Sequence, residues 1–373
     1  MINTLRLLIV AGARPNFVKV APLIRWINRE NSRQASQRAK VEVKLVHTGQ
    51  HYDEKMSQIF FQELGIPTPD LNLAVGSGSH ASQTANIMSK FEPVCEDLRP
   101  DWVVVVGDVN STMACTLVAS KMGIRVAHLE AGLRSFDRSM PEEINRLVTD
   151  ALADLLLTPS ADGDENLMRE GVPPAKVRCV GNIMIDTLIW NLEKTRACTV
   201  LQDLGVNTGE FAYVTLHRPS NVDSPETLKT IMEKLHRISK QAKIIFPMHP
   251  RTRRMLAQFD IGVNGNSALK IVEPVGYLDS LHLSENARFV LTDSGGIQEE
   301  TTFFRTPCLT LRPNTERPIT ISLGSNRLTQ IDRMSLDVEN ILRGPDKIGC
   351  IPPLWDGNTS ARVLSSILDA SGF

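Results

Sequence analysis

Acid–base chemistry at carbon is what the charged residues of this 373-residue chain point to. Asp108 and Glu130 stand directly beyond the apolar runs Val103–Val106 and Val126–Leu129. Partial burial there could raise a carboxyl pKa toward neutrality, where one group can both take and return a proton. Glu142 belongs to Pro141-Glu-Glu-Ile-Asn-Arg146, which reads as a helix start with proline at its first position. Glu142 and Arg146 are four apart on one face, a spacing that also fits a stabilising ion pair worth about 0.2–0.5 kcal/mol. His217 and His249 follow apolar runs as well, a place where a histidine is either structural or catalytic. Carboxylates without a His or Cys cluster at metal-ligand spacing favour proton transfer over metal-assisted hydrolysis.

Phosphate binding is the second chemistry, carried by Ser294-Gly295-Gly296. Glycines ahead of a helix-compatible run let a phosphate approach backbone N–H groups at a helix N-terminus. The competing reading is a tight turn that needs positive φ. Arg14, Lys19 and Arg317 could supply the cations, arginine offering a bidentate fork to a diphosphate. Each of the three taken alone can also be a solvated surface charge. No Walker-type phosphate loop is present and no GxGxxG follows the first apolar run, which disfavours ATPase and nicotinamide-dehydrogenase readings. A nucleoside diphosphate held mainly by the second half of the chain remains.

These residues sit at the ends of short Val-, Ile- and Leu-rich runs that alternate with amphipathic segments, the pattern of βαβ units with buried parallel strands. Strands are expected at Arg6–Ala11, Val41–Thr48, Trp102–Gly107, Arg125–Glu130 and Leu155–Thr158, and again at Phe211–Leu216, Lys243–Pro247, Phe289–Thr292 and Cys308–Leu311. Helices are expected over Phe17–Arg29 and Ser111–Met122. Asn31–Lys40 reads as an exposed loop or frayed helix end, and Asn191–Gly209 as a polar connection between the two strand sets. In open parallel sheets ligands bind beyond the carboxyl ends of the strands, which is where the charged residues recur in both halves. The expectation is an α/β protein of two doubly wound Rossmann-like domains facing a central cleft. The bounds expected are 1–177 for the domain with the acid–base residues, 178–358 for the domain with the phosphate-binding residues, and 359–373 for a helix returning to the first domain.

Length and composition agree with that class. The chain is long enough for two cores, and 42% hydrophobic with 22% charged residues is ordinary for a globular protein. A net charge of −1 argues against a nucleic-acid or membrane-surface partner, though a small anion remains compatible. Residues 1–12 hold a short apolar run ending in glycine and read as a first strand, not a signal peptide; no run approaches the roughly 18 residues of a membrane span. Cys95, Cys115, Cys179, Cys198, Cys308 and Cys350 are scattered without CxxC, as reduced structural thiols would be. A cytoplasmic, metal-free protein is expected.

Taken in order, Gly12-Ala-Arg14-Pro, Thr48-Gly-Gln-His51, Gly107-Asp108, His128-Leu-Glu130-Ala-Gly-Leu-Arg134, Pro141-Glu-Glu-Ile-Asn-Arg146, Gly181-Asn182, Thr292-Asp-Ser-Gly-Gly-Ile-Gln-Glu-Glu300 and Thr315-Glu-Arg317-Pro resemble the non-hydrolysing UDP-N-acetylglucosamine 2-epimerases. The resemblance spans essentially the whole chain and implies the two-domain glycosyltransferase B fold. It implies that Arg14, Ser294, Gly295 and Gly296 contact the diphosphate, that Glu300 binds the ribose hydroxyls, and that Arg317 lines the same site. It makes Asp108, Glu130 and Glu142 the acid–base carboxylates, and puts Lys19, Arg146 and His217 around the sugar and leaving group. The implied reaction removes the C2 proton as UDP leaves anti, passes through 2-acetamidoglucal, and re-adds UDP after the proton returns to the other face. No redox cofactor is implied, and a homodimer is. Which carboxylate is the base stays open.

Regulated bacterial members of that family carry arginine after the Gln-His pair, and another shortly after a Leu-Asn segment, where a second substrate molecule binds as activator. Here Gln50-His51 precedes Tyr52-Asp53, and Leu71-Asn72 precedes Leu-Ala-Val-Gly76-Ser-Gly78. Hyperbolic kinetics without an activator are therefore expected. The Gly-Ser-Gly-Ser loop, Arg134-Ser135-Phe136, Met140 and His217-Arg-Pro-Ser-Asn-Val222 resemble a branch that includes 2-epimerases of UDP-2,3-diacetamido-glucuronic acid. That substrate, a UDP-sugar glycosyltransferase of the same fold, a hydrolysing variant and a non-catalytic sugar-nucleotide sensor are the alternatives.

Overall fold

The computed structural model describes residues 4–33, 38–49, 65, 67–262, 268–344 and 348–373; the Arg14 side chain lies outside that description. The chain forms two compact units, Met1–Trp190 with Pro353–Phe373, and Asn191–Pro352.

Unit 1 runs through β1 (Thr4–Ala11), α1 (Arg14–Ser32), β2 (Lys40–His47), β3 (Leu71–Asn72), α2 (His80–Leu98), β4 (Trp102–Val106), α3 (Asn110–Lys121) and β5 (Arg125–Leu129). It continues with α4 (Pro141–Leu152), β6 (Leu155–Thr158), α5 (Ala161–Arg169), β7 (Val177–Cys179) and α6 (Ile183–Arg196). Among the described residues its strands make one seven-stranded sheet in the order β3-β2-β1-β4-β5-β6-β7, parallel throughout. Every residue of β4 is buried, so a β-branched run with no polar alternation is what that central position selects. The strand order reverses between β1 and β4, where successive crossovers go to opposite faces and leave a crevice at the carboxyl edge.

Unit 2 repeats the design with β8 (Phe211–Thr215), α7 (Pro225–Ile238), β9 (Lys243–Pro247), α8 (Pro250–Gln258), β10 (Leu269–Val272), α9 (Tyr277–Asn286), β11 (Phe289–Thr292), α10 (Gly295–Phe304), β12 (Cys308–Leu311), β13 (Asn326–Thr329) and α11 (Met334–Arg343). Its six described strands are parallel in the order β10-β9-β8-β11-β12-β13, with the reversal between β8 and β11. Leu228, Ile231 and Leu235, one stripe of α7, pack with Ile244, Phe246 and Leu291 of the sheet. The α/β class and the two doubly wound Rossmann-like halves expected from the sequence are thus present.

The final helix, α12 (Thr359–Ala370), belongs to unit 1. Thr359 N and Ser360 N, at its start, donate to the Asp186 carboxylate at 3.1 and 2.7 Å, and Trp102 Nε1 donates to Ser371 Oγ at 2.9 Å beyond its end. Thr187 of α6 donates to the Val18 carbonyl at 2.5 Å, so the first turns of α6 pack in unit 1. The units accordingly divide at Trp190/Asn191 and Pro352/Pro353 rather than at 177/178 and 358/359. Asn191–Arg196, read as connection, is helical.

Four strands escaped the sequence reading: β3, β7, β10 and β13. β3 and β10 are short edge strands whose residues, Leu269 apart, are exposed or half-buried, so no long apolar run marks them. Gly107 and Glu130, expected at strand ends, lie just past them with φ of +68° and +72°, which breaks the extended ladder. Gln50-His51 and Tyr52-Asp53 lie outside the described residues. No described helix is long and apolar enough to cross a membrane.

Candidate active site

The β1–β4 reversal of unit 1 is built on close backbone approach. A Cβ on Gly12 would sit 2.3 Å from Ser111 Oγ, so only glycine lets the β1–α1 turn pass the start of α3. Asn16 then fastens the turn: its Oδ1 accepts from Gly12 N and Ala13 N at 3.1 and 2.9 Å, and its Nδ2 donates to the Val106 carbonyl at 3.1 Å. Lys19, three residues on, emerges on the same helical face and meets Glu130. Both are buried, at 8% and 3% exposure, and form an ion pair. Gly107 backs this pair; a Cβ there would come 3.4 Å from Lys19 Nζ and 3.5 Å from Glu130 Oε2. Glu130 Oε1 is buried with no hydrogen-bond partner among the described residues, leaving an acceptor lone pair open. The positive φ of Glu130 is a strained conformation of the kind that concentrates at functional turns.

Asp108, the next residue after Gly107, pairs with Arg146 Nη1. The remaining edge of that guanidinium is taken by Glu143 Oε2, at 3.0 Å from Nε and 2.6 Å from Nη2. Glu143 also accepts from Ser135 N, Ser135 Oγ and Phe136 N, each at 2.9 Å. Burial pushes its carboxyl up, but these donors and Arg146 outweigh burial and hold it below the usual carboxylate range. Asn145 Nδ2 donates to the Asp108 carbonyl at 2.8 Å, so α4 secures the Asp108 turn at backbone and side chain together.

Sequence spacing paired Arg146 with Glu142; the structure pairs it with Glu143, and Glu142 is exposed on the first turn of α4. The reason is rotational. Glu143, Arg146 and Asp150 recur at i, i+3 and i+7, the stripe that faces the sheet, and Glu142 falls 100° away from it. Charged residues on the core-facing stripe were the available signal for Glu143. Asp108 and Glu130 each face a cation, so burial does not act on either carboxylate alone.

In unit 2 the β8–β11 reversal holds His217, Asp293 and the glycine pair. Asp293, fully buried, accepts from His217 N at 3.0 Å, Arg218 N at 2.9 Å and Asn221 Nδ2 at 3.0 Å, and lies 3.0 Å from His217 Nδ1. Burial pushes the Asp293 carboxyl up, and His217 with the other donors outweighs that and lowers it. The His217 ring is 40% exposed by its side chain and stands 5.3 Å from that of His249. Burial, then the neighbouring His217, lowers the pKa of His249.

Ser294 precedes α10 and makes no side-chain cap of its own, while Gly295 and Gly296 form the first helical turn. Neither glycine takes positive φ, which removes the tight-turn reading. Space at 295 is tight: a Cβ would be 3.0 Å from Arg317 Nη1 and 3.0 Å from Glu316 Oε1. Arg317 is therefore set against the helix N-terminus, buried, with Nε 2.9 Å from Glu299 and Nη1 on Glu316. Glu316 is pushed up by burial, but Arg317 and Arg312 hold its carboxyl well below the usual range. Glu300, one turn beyond Gly296, is buried, and burial followed by Glu299 pushes it up to about 8.

The sequence-predicted residues thus fall into two groups. Unit 1 pairs Lys19 with Glu130 beside Gly107 and Arg146 with Asp108 just after it, with Glu142 at the exposed start of α4 and Arg14 opening α1. Unit 2 sets His217, Ser294, Gly295, Gly296, Glu300 and Arg317 around the start of α10. Asn16, Glu143, Asp293, Glu299 and Glu316 were not singled out beforehand. Among the described residues no three His, Cys, Asp or Glu side chains converge as a metal cage.

The profile of the UDP-N-acetylglucosamine 2-epimerase family matches residues 33–368. A Methanocaldococcus jannaschii protein named UDP-N-acetylglucosamine 2-epimerase is 44% identical over 369 residues, 96% of this chain and 98% of its own. The crystal structure of Methanocaldococcus jannaschii UDP-GlcNAc 2-epimerase in complex with UDP-GlcNAc and UDP superposes with a TM-score of 0.87 at 40% identity, over 98% of this chain and 100% of that one. A Pseudomonas aeruginosa UDP-2,3-diacetamido-2,3-dideoxy-D-glucuronate 2-epimerase is 38% identical over 328 residues, 87% of this chain and 88% of its own. Matched over almost its whole length by sequence and by fold, the chain belongs to the UDP-N-acetylglucosamine 2-epimerase family.

Proposed function

We propose that the chain interconverts UDP-N-acetylglucosamine and UDP-N-acetylmannosamine by inversion at C2. The observation that carries this reading is the pair of carboxylate–cation contacts, Lys19–Glu130 and Arg146–Asp108, whose carboxylates stand on the turns after the neighbouring strands β5 and β4. Inversion at carbon needs a proton taken from one face and a proton delivered to the other, hence two acid–base groups on neighbouring supports. In the forward half-reaction the C2–H bond breaks to a carboxylate while the C1–O bond breaks to UDP, and C1=C2 forms. The 2-acetamidoglucal then takes a proton at C2 on the opposite face as UDP returns to C1. Lys19 and Arg146 balance the charge on the carboxylates, and cations near the diphosphate stabilise the leaving group. Glu130 Oε1, without a hydrogen-bond partner among the described residues, supports Glu130 as a group that meets substrate.

Unit 2 is proposed to hold UDP, with Ser294, Gly295, Gly296 and Arg317 on the diphosphate and Glu300 on the ribose; for Arg14, at the start of α1, the family resemblance supports a diphosphate contact. His217, oriented by Asp293, is assigned to the leaving group, and Glu142 to the third acid–base position. The Pseudomonas relative supports a second substrate reading, the 2,3-diacetamido uronate. The protein is further proposed to act in the cytoplasm as a homodimer; a monomer mass in sedimentation would refute the latter.

Incubation with UDP-N-acetylglucosamine in D₂O, without cofactor or acceptor, tests the proposal by proton NMR. UDP-N-acetylmannosamine carrying deuterium at C2 is expected. Free N-acetylmannosamine would mean a hydrolysing enzyme, and no exchange with either UDP-sugar would reject epimerisation.

A further inference from the structure

We infer that the buried pair His128–Asp150 is a positioning device that holds the supports of the acid–base residues in one geometry. The inference rests on the functional reading above and concerns residues that this reading leaves unused. His128 lies in β5, two residues before Glu130, and is fully buried. Its Nε2 donates to the Gly107 carbonyl at 2.9 Å and its Nδ1 to Asp150 Oδ1 at 2.5 Å. Gly107 immediately precedes Asp108, and the direction of its carbonyl fixes the peptide that presents Asp108.

Asp150 completes the link. It lies on α4, one turn beyond Arg146, and its second oxygen accepts from Gly132 N at 3.0 Å and from Arg134 at 2.7 Å. Gly132 closes the turn that begins with Glu130, and its φ of +79° with the Gly163 carbonyl 2.4 Å from a would-be Cβ leaves no room to shift. One imidazole therefore ties the Asp108 turn to β5, and one carboxylate ties the Glu130 turn to the helix that carries Arg146. Burial pushes Asp150 up, but His128 and Arg134 outweigh it and keep the carboxyl below its ordinary range. His128, Asp150 and Arg134 are exposed by 0%, 3% and 2%, so they act through other residues and not on substrate. A strained turn such as that of Glu130 persists only where its surroundings over-determine it, and this network is what does so.

Three variants of the full-length protein separate positioning from mere support. Asp150→Asn keeps the shape but turns an amide donor toward either His128 or Gly132 N. His128→Asn keeps a donor toward Asp150 and loses Gly107; His128→Gln keeps a donor toward Gly107. For UDP-N-acetylglucosamine epimerisation, Asp150→Asn and His128→Asn are expected to lower kcat about 10²-fold, the effect of a misplacement near 1 Å. KM should stay within about 3-fold, since ground-state binding is not what the pair governs. His128→Gln should recover roughly tenfold over His128→Asn, because the Asp108 turn is the closer support. Rates are compared at temperatures equally far below each variant's Tm. Equal impairment of the two His128 variants, a loss that falls on KM, or a loss that follows only the folded fraction would overturn the inference. A crystal structure of Asp150→Asn decides the geometry whether or not the wild type turns over this substrate. Displaced Asp108 and Glu130 carboxylates are expected, and unchanged positions overturn the inference. Displacement in an enzyme inactive on UDP-sugars would reject the functional reading alone.

Discussion

Replacing Glu130 by glutamine removes the charge partner of a lysine that is only 8% exposed. Breaking a buried pair at one end strands the other charge, at a cost of about 3–5 kcal/mol. In a unit of this size each kcal/mol moves the midpoint by about 2–4 °C, so unit 1 should melt roughly 6–20 °C lower. Turnover should fall on the order of 10² to 10⁴-fold if Glu130 transfers a proton. The double variant Lys19→Met/Glu130→Gln removes the stranded cation as well, since methionine fills a similar volume without charge. Most of the lost stability should return while turnover stays low. Calorimetry of the three proteins, with NMR turnover assays at equal distance below each midpoint, reads both quantities. An unchanged midpoint in Glu130→Gln would refute the buried pair, and recovered turnover in the double variant would refute the acid–base assignment.

Other consequences follow from single residues. Glu300 is raised from 4.5 to about 8 by burial and then Glu299, so its stability contribution is complete below pH 4.5 and lost as pH rises through about 8. Glu300→Gln should therefore gain Tm relative to wild type between pH 5 and pH 9 while weakening UDP binding by calorimetry; a pH-independent difference would contradict this. Gly12→Ala puts a Cβ 2.3 Å from Ser111 Oγ and should cost about 1–3 kcal/mol by overpacking, read as a lower urea midpoint, and a wild-type midpoint would show that the turn can yield. Initial rates against UDP-N-acetylglucosamine should be hyperbolic, as the residues after Gln50-His51 and Leu71-Asn72 imply, and a sigmoidal curve would restore substrate activation.

The sequence by itself determined the class, most central strands and the candidate chemistry. Runs such as Trp102–Val106 are apolar because both faces of a parallel strand are covered, and that demand is local enough to be read without a fold. Glycines at a helix start, Gly295-Gly296, were legible because residue type alone marks them. Partnership was not legible, because it depends on which side chains distant segments bring together. Glu143 rather than Glu142 takes Arg146, since only the packed orientation of α4 says which face meets the sheet. The close space at Gly295 is set by Arg317 and Glu316, some twenty residues away in sequence, and not by its own φ. His128 shows no pattern of its own as the link between Gly107 and Asp150; only the β4–β5 pairing and the docking of α4 place an imidazole within reach of both. Short edge strands were missed because half-solvated residues carry little hydrophobic signal. Tertiary structure decides these matters because a buried charge must find its counterpart in space, whatever their separation along the chain.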